Sequence, residues 1–267
     1  MNFPRVAMPK NPFRDTIDTD LFFRTRQHEE AVIKLRCGIE DGHALVLLTG
    51  QSGTGKTLVS QVVLRSLDPA LYDPVVVSVH PGMGKGGLLD ALLLELQEGD
   101  GPRQTAARIG KVQEQALARH AGGKRLVVVI DEAHFLQADA LHLLRTLSNL
   151  ETESDKLITV LLISEDVLRR RLKGPSYASL RGRITFAVQL APLTRQETEQ
   201  MIKYRLLKCK APLGFVQENA YDRIFQLSGG VPREVNRLLY NAYLEASTDD
   251  RAAIDSAVVS QAAEVLV

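Results

Sequence analysis

No apolar run in the 267-residue sequence approaches the ~18 residues that a bilayer-spanning helix needs. The opening stretch MNFPRVAMPKNPFRDTID carries charges and prolines but no apolar core, which speaks against a secretory signal and leads to the expectation of a cytoplasmic protein. Cysteine is scarce: Cys37 and Cys209 stand far apart without metal-ligand spacing, so neither a disulfide framework nor a zinc site is expected, and reduced thiols are. An excess of one charge is also missing. The 33 Lys and Arg against 32 Asp and Glu leave a net charge of +1, which does not mark a nucleic-acid binder by global charge. Internal repeats and low-complexity tracts are absent as well.

What is present is the balance of a globular chain, 45% apolar and 24% charged, long enough for one large α/β domain or a core with a small second domain. Helical patterns over 27–40, 56–66, 87–97, 105–120 and 138–150 alternate with apolar strand patterns over 44–49, 74–79, 126–130, 157–163 and 184–190. Glu98-Gly-Asp-Gly-Pro102 reads as a turn-rich connector. Continuous apolar strands between helices predict an α/β fold with a parallel five-stranded sheet covered on both faces. After Pro192 the strands stop. Thr194-Arg-Gln-Glu197 matches a capping box, and helices are expected over 196–208, 217–227, 232–246 and 255–265. The expected organisation is an N-terminal segment and first helix packing on the core (1–43), an α/β core (44–192) and a small all-helical lid (193–267).

Two motifs carry chemistry. Gly50-Gln51-Ser52-Gly53-Thr54-Gly55-Lys56-Thr57 fits G-x-x-x-x-G-K-[ST] in full, with a strand before it and a helix after it. Backbone N–H groups of such a loop wrap phosphates, and the following helix presents its positive end. Gly50 to Thr57 together with Leu58 are therefore the candidate ATP contacts, with Lys56 reaching the β- and γ-phosphates and Thr57 ligating Mg²⁺. The run RLVVVIDEAHFL ends five apolar residues in Asp131-Glu132, at the strand end where α/β sheets bind ligands. Asp131 is expected to hold Mg²⁺, and Glu132 to orient and polarise the attacking water. His134 reads as a coupling residue near the γ-phosphate or a simple loop histidine.

Beyond these motifs the chain resembles the AAA+ ATPases of the ExeA/GspA type, which are related to ATPases that regulate some DNA transposons. The resemblance runs almost end to end. It rests on NPF (Asn11 to Phe13), HEEAVIKLRCGIEDGHALVLLTGQSGTGKT, VVVIDEAHFL, LLRTLSNLE, LRGRI, LAPLT and SGGVPREVNRL. It implies an AAA+ P-loop fold and ATP hydrolysis with Mg²⁺ in a ring or filament of identical subunits. Arg233, in GGVPRE, matches the sensor-2 arginine of the lid, a role suited to a permanently charged guanidinium. Arg181 and Arg183 match the arginine-finger region, which works on a neighbour's nucleotide; either is a candidate. At the sensor-1 position, where the family tends to have Gly-Gln, this chain has Ser164 and Glu165, a departure that bears on the hydrolysis rate. Asn149 is a second polar candidate there. Phe22 and Phe23, in a segment expected over the adenine, read as core residues.

The stretch VHPGMGKGG looks like a second phosphate loop but lacks a Ser or Thr after Lys85, and the glycine that the spacing requires is Val79. In the resembled family this junction carries the loop that faces the central channel. That makes Met83 a candidate for an apolar peptide surface and Lys85 for a phosphate backbone. Residues 168–210 hold 11 Lys or Arg against two acids, a surface suited to an anionic partner. Three functions follow: powering or gating assembly of a secretion or pilus-type system, with membrane association through a partner; a DNA-bound regulator of transposition; or a nucleotide-gated scaffold with slow turnover.

Overall fold

The computed structural model describes residues 11–14, 18–98, 104–248 and 251–266; most of the expected connector at 98–102 lies outside them. Two compact units emerge. One gathers Gln27–Gln51 and Val59–Leu190; the other gathers the described residues of Met1–Arg26 with Ser52–Leu58 and Ala191–Val267.

The first unit is built on five parallel strands, β1 (Leu45–Gly50), β2 (Tyr72–Ser78), β3 (Arg125–Asp131), β4 (Ile158–Ser164) and β5 (Ile184–Leu190), in the order β2-β3-β4-β1-β5. Every residue of β1 and β4 is buried, as is the apolar run of β3. That explains why these strands read as unbroken Val, Ile and Leu rather than as an alternation. The outer strands alternate instead: β2 exposes Val76 and carries Pro74, which an edge tolerates because no neighbour needs its missing N–H. In register, Ser78 faces Asp131, Thr49 faces Ser164 and Gly50 faces Leu190, so the carboxyl ends of all five strands form one edge.

Helices α1 (Arg26–Glu40), α2 (Lys56–Ser66), α3 (Lys85–Glu95), α4 (Thr105–Ala121) and α5 (Ala138–Leu147) alternate with the strands, followed by two short helices, α6 (Asp166–Arg171) and α7 (Ala178–Arg181), that the sequence pattern did not indicate. Leu88, Leu89, Leu92 and Leu93 of α3 and Leu141 and Leu144 of α5 are buried in one cluster with Val128, Ile130, Val160 and Leu162 of the sheet. Each such side chain contributes roughly 1.5–3 kcal/mol by leaving water.

The second unit is helical: α8 (Arg195–Lys208), α9 (Glu218–Ser228), α10 (Pro232–Thr248) and α11 (Ser256–Glu264). The expected capping box starts α8, with the Glu197 amide donating to Thr194 Oγ1 and the Thr194 amide donating to the Glu197 carboxylate. Along α8, the Lys203 ammonium and the Arg195 guanidinium hold the Glu199 carboxyl below the usual carboxylate range. α9 stops at Gly229 in the left-handed conformation. Next to it Gly230 has φ 72°, and its carbonyl accepts from the Leu193 amide at 2.8 Å. A Cβ on Gly230 would lie 2.0 Å from the Leu193 carbonyl oxygen, a backbone clash that no rotamer relieves. Gly230→Ala is expected to cost about 2–4 kcal/mol, read as a lowered Tm.

The NPF stretch has a physical reason here. Phe13 is buried in the helical core beside Met201, Leu206 and Leu239, its amide donates to Asn11 Oδ1 at 2.8 Å, and Arg205 donates to the carbonyls of Pro12 (2.6 Å) and Arg14 (3.2 Å). Those described N-terminal residues thus belong to the same unit as the C-terminal helices, whereas the sequence boundaries grouped them with residues up to 43. Neither Cys37, half-buried, nor Cys209, buried, forms a disulfide. Among the described residues, no helix is long and apolar enough to cross a membrane.

Candidate functional site

The helical unit carries the phosphate loop and its candidate sensor. In Ser52–Leu58, Gly53 and Gly55 adopt φ of 80° and 95°. Gly53 is required twice: by its left-handed backbone, and because a Cβ there would meet Arg233 Cβ at 2.8 Å. Arg233 is fastened to the loop by two bonds. Its amide donates to the Gly53 carbonyl at 3.2 Å, and its Nη1 donates to Ser52 Oγ at 3.1 Å. It sits one residue after Pro232, which opens α10 at the position where a missing N–H costs nothing. Lys56 begins α2 and is 7% exposed. The adjoining Thr54 is buried, and Thr57 and Leu58 are half-buried.

The sheet unit carries the acidic pair. Asp131 ends β3, and its Oδ1 accepts from the Glu132 amide at 2.9 Å. Glu132 is held at φ 54°, ψ 35°, a left-handed conformation that costs a non-glycine residue about 1–2 kcal/mol. The Phe135 amide closes the turn on the Glu132 carbonyl at 3.0 Å. The Glu132 side chain is 47% exposed, and its Oε2 lies 3.3 Å from Nδ1 of His134.

Ser164 corrects an expectation. It ends β4 level with the loop-bearing strand, but it is fully buried and its hydroxyl donates to the carbonyl of Glu165 at 2.9 Å, which turns it away from any solvent-borne phosphate. Asn149 is likewise not near this edge. It precedes β4, at the amino end of the sheet, and its Oδ1 accepts from Arg183 Nε (3.1 Å) and Nη2 (2.7 Å). Arg183 also donates to the Ser179 carbonyl, while Arg181 donates to the carbonyls of Leu172 and Lys173 just past α6. Both arginines therefore sit at the sheet edge opposite Asp131, separated from it by the length of a seven-residue strand, about 20 Å.

Met83 is the second correction. It is 4% exposed and packs in the core of the sheet unit, so it is not a contact for a peptide; within a Gly-rich stretch its apolar side chain turned inward. Lys85 is exposed as expected and opens α3. The loop is strapped to the segment that follows the acidic pair. Gly82 N donates to the Phe135 carbonyl (3.3 Å), Gln137 N to the Met83 carbonyl (2.9 Å), and Lys85 N to Asp139 Oδ2 (3.3 Å). Beside the strap lies an open cleft of about 670 Å³ lined by His134, Phe135, Gln137, Asp139 and Arg171 among others. Phe22 is buried and Phe23 lies against Tyr204, in keeping with core roles.

A family model for the AAA domain matches residues 39–172. Over 241 residues the sequence is 32% identical to general secretion pathway protein A of Aeromonas hydrophila, a match that covers 90% of this chain and 44% of that relative. The chain thus spans less than half the length of the relative. Three solved structures share the fold. The Aeropyrum pernix ORC2 protein in ADPNP–ADP complexes superposes with a TM-score of 0.69 at 16% identity over 98% of this chain and 73% of that one. Cdc6p from Pyrobaculum aerophilum gives 0.71 at 18% over 94% and 69%. The Thermotoga maritima RuvB Holliday junction branch migration motor gives 0.61 at 20% over 96% and 74%.

Proposed function

This chain belongs to the AAA-domain family, and on that premise we propose that it binds and hydrolyses ATP with Mg²⁺ as a homo-oligomer, and that turnover drives or gates assembly of a secretion or pilus-type system. The observation that carries the nucleotide reading is the double attachment of Arg233 to Ser52 and Gly53. A permanently charged guanidinium beside a phosphate loop is suited to contact a terminal phosphate. Lys56 neutralises the phosphates from the other end of the loop.

By the chemistry of their donors, Asp131 would offer Mg²⁺ a carboxylate and Thr57 a hydroxyl, and Mg²⁺ takes few protein ligands beside phosphate oxygens and water. When bound, the ion neutralises charge on the phosphates. Glu132 then accepts the proton of the attacking water as general base.

The oligomer is supported by the place of Arg181 and Arg183. At the edge opposite Asp131, neither serves its own chain's acidic pair, and each is suited to a neighbour's phosphate. Turnover of Arg183→Ala is expected to fall at least tenfold and to recover on mixing with Lys56→Ala subunits, measured as phosphate release. Unrestored turnover would contradict action in trans, and full restoration with Arg181→Ala instead would make Arg181 the finger.

The secretion reading rests on the 32% identity to general secretion pathway protein A. The DNA reading keeps one observation, the exposed Arg169, Arg170 and Lys173 around α6. ATP-dependent retention of duplex DNA at two salt concentrations separates them: a steep salt-dependent loss marks phosphate contacts, and no retention at either salt leaves the secretion reading.

A further inference from the structure

We infer that His134 is a positioning residue for the Glu132 carboxylate, exchanging it for the backbone amide of Glu165. This rests on the role of Glu132 given above. Nδ1 of His134 lies 3.3 Å from Glu132 Oε2 and 3.5 Å from the Glu165 amide nitrogen. One ring nitrogen cannot serve both. Carrying a proton, it donates to the carboxylate and leaves the amide unanswered; bare, it accepts from the amide and turns its lone pair on the carboxylate. Both distances exceed the ~2.9 Å of an optimal bond, as befits a ring set between two partners.

The surroundings hold the ring at that choice. Its ring lies 4.1 Å, centroid to centroid, from that of Phe135 at a tilt of 39°, and its side chain is 10% exposed beside a carboxylate that is half in water. Glu165 immediately follows β4 and is the N-cap residue before α6. His134 therefore ties the end of β4 to the end of β3. Ser164 makes no such link, being buried on its own neighbour's carbonyl. With the proton on Nδ1 the carboxylate is drawn back along the turn; with Nδ1 given to the amide the carboxylate is released to a water.

The test compares phosphate release at saturating ATP and ATP affinity for the full chain, Glu132→Gln, His134→Phe, His134→Asn and His134→Gln. His134→Phe keeps an aromatic ring against Phe135 and removes its nitrogens. Its turnover is expected to fall about tenfold or more, with affinity within twofold. Asn places its amide near the Nδ1 position and should restore part of the loss; Gln reaches the far edge of the ring and should not. This Asn–Gln contrast carries the test if His134→Phe does not fold. In the Glu132→Gln background, single-turnover rates should show no further loss from His134→Phe.

Turnover of His134→Phe at the wild-type level would overturn the inference, and so would a parallel loss of affinity, equal rates for Asn and Gln, or an undiminished effect in the Glu132→Gln background. If those results come with an inactive Glu132→Gln, only the inference falls. Full turnover in Glu132→Gln would instead overturn the assignment of Glu132 itself.

Discussion

Lys56→Ala is expected to abolish measurable ATP binding. A lysine that reaches two phosphates makes charge-assisted hydrogen bonds worth about 1.5–3 kcal/mol each, so the loss amounts to roughly 10²–10⁴-fold in affinity. Burial strengthens the case, because Lys56 is 7% exposed and its charge is poorly screened by water. The measurement is equilibrium binding of a fluorescent ATP analogue, with Tm recorded in parallel. Affinity within threefold of wild type would mean that the loop does not hold the nucleotide. A fall in Tm without ATP, at unchanged affinity, would mark Lys56 as a structural cation instead.

Glu132→Gln separates chemistry from binding. The amide keeps the size of the side chain and the hydrogen-bonding reach toward His134 but cannot take a proton. Turnover should drop roughly 10²–10⁴-fold, the range for a positioned general base, with ATP affinity within a few-fold of wild type. The same substitution leaves the left-handed backbone at φ 54° in place, so any loss is not a release of strain. Steady-state phosphate release against analogue binding reads both quantities. Equal losses in both would reassign Glu132 to nucleotide binding.

Much of this was legible in the sequence because it is local. The phosphate loop, the Asp131-Glu132 pair at a strand end and the Thr194 capping box are each set by residues a few positions apart. The five strands were readable from their apolar runs, since a strand buried on both faces leaves no polar alternation. Their order was not: β1 lies between β4 and β5 rather than beside β2, and that pairing is a long-range choice no short window contains. The helices α6 and α7 were hidden in a basic run interrupted by Gly174 and Pro175. Met83 misled because the resembled family carries its channel-facing loop at this junction, while the burial of Met83 depends on packing across the fold. Ser164 misled in the same way, its hydroxyl satisfied by the very next carbonyl. Phe13 and Arg205 stand 192 positions apart, and the bonds of Arg205 to the carbonyls on either side of Phe13 could not be seen from either end. His134 was visible as a letter, but its second partner, Glu165, lies across the sheet edge.

The strap between residues 82–85 and 135–139 changes what the glycine-rich loop is mechanically. Glycines ordinarily mean slack. Here two main-chain bonds and one carboxylate hold the loop against the stretch that begins three residues after Glu132. A load on Lys85 would have to tear those bonds before the loop could yield alone. The loop is thereby joined to the turn after the acidic pair, the part of the chain where hydrolysis is proposed to occur.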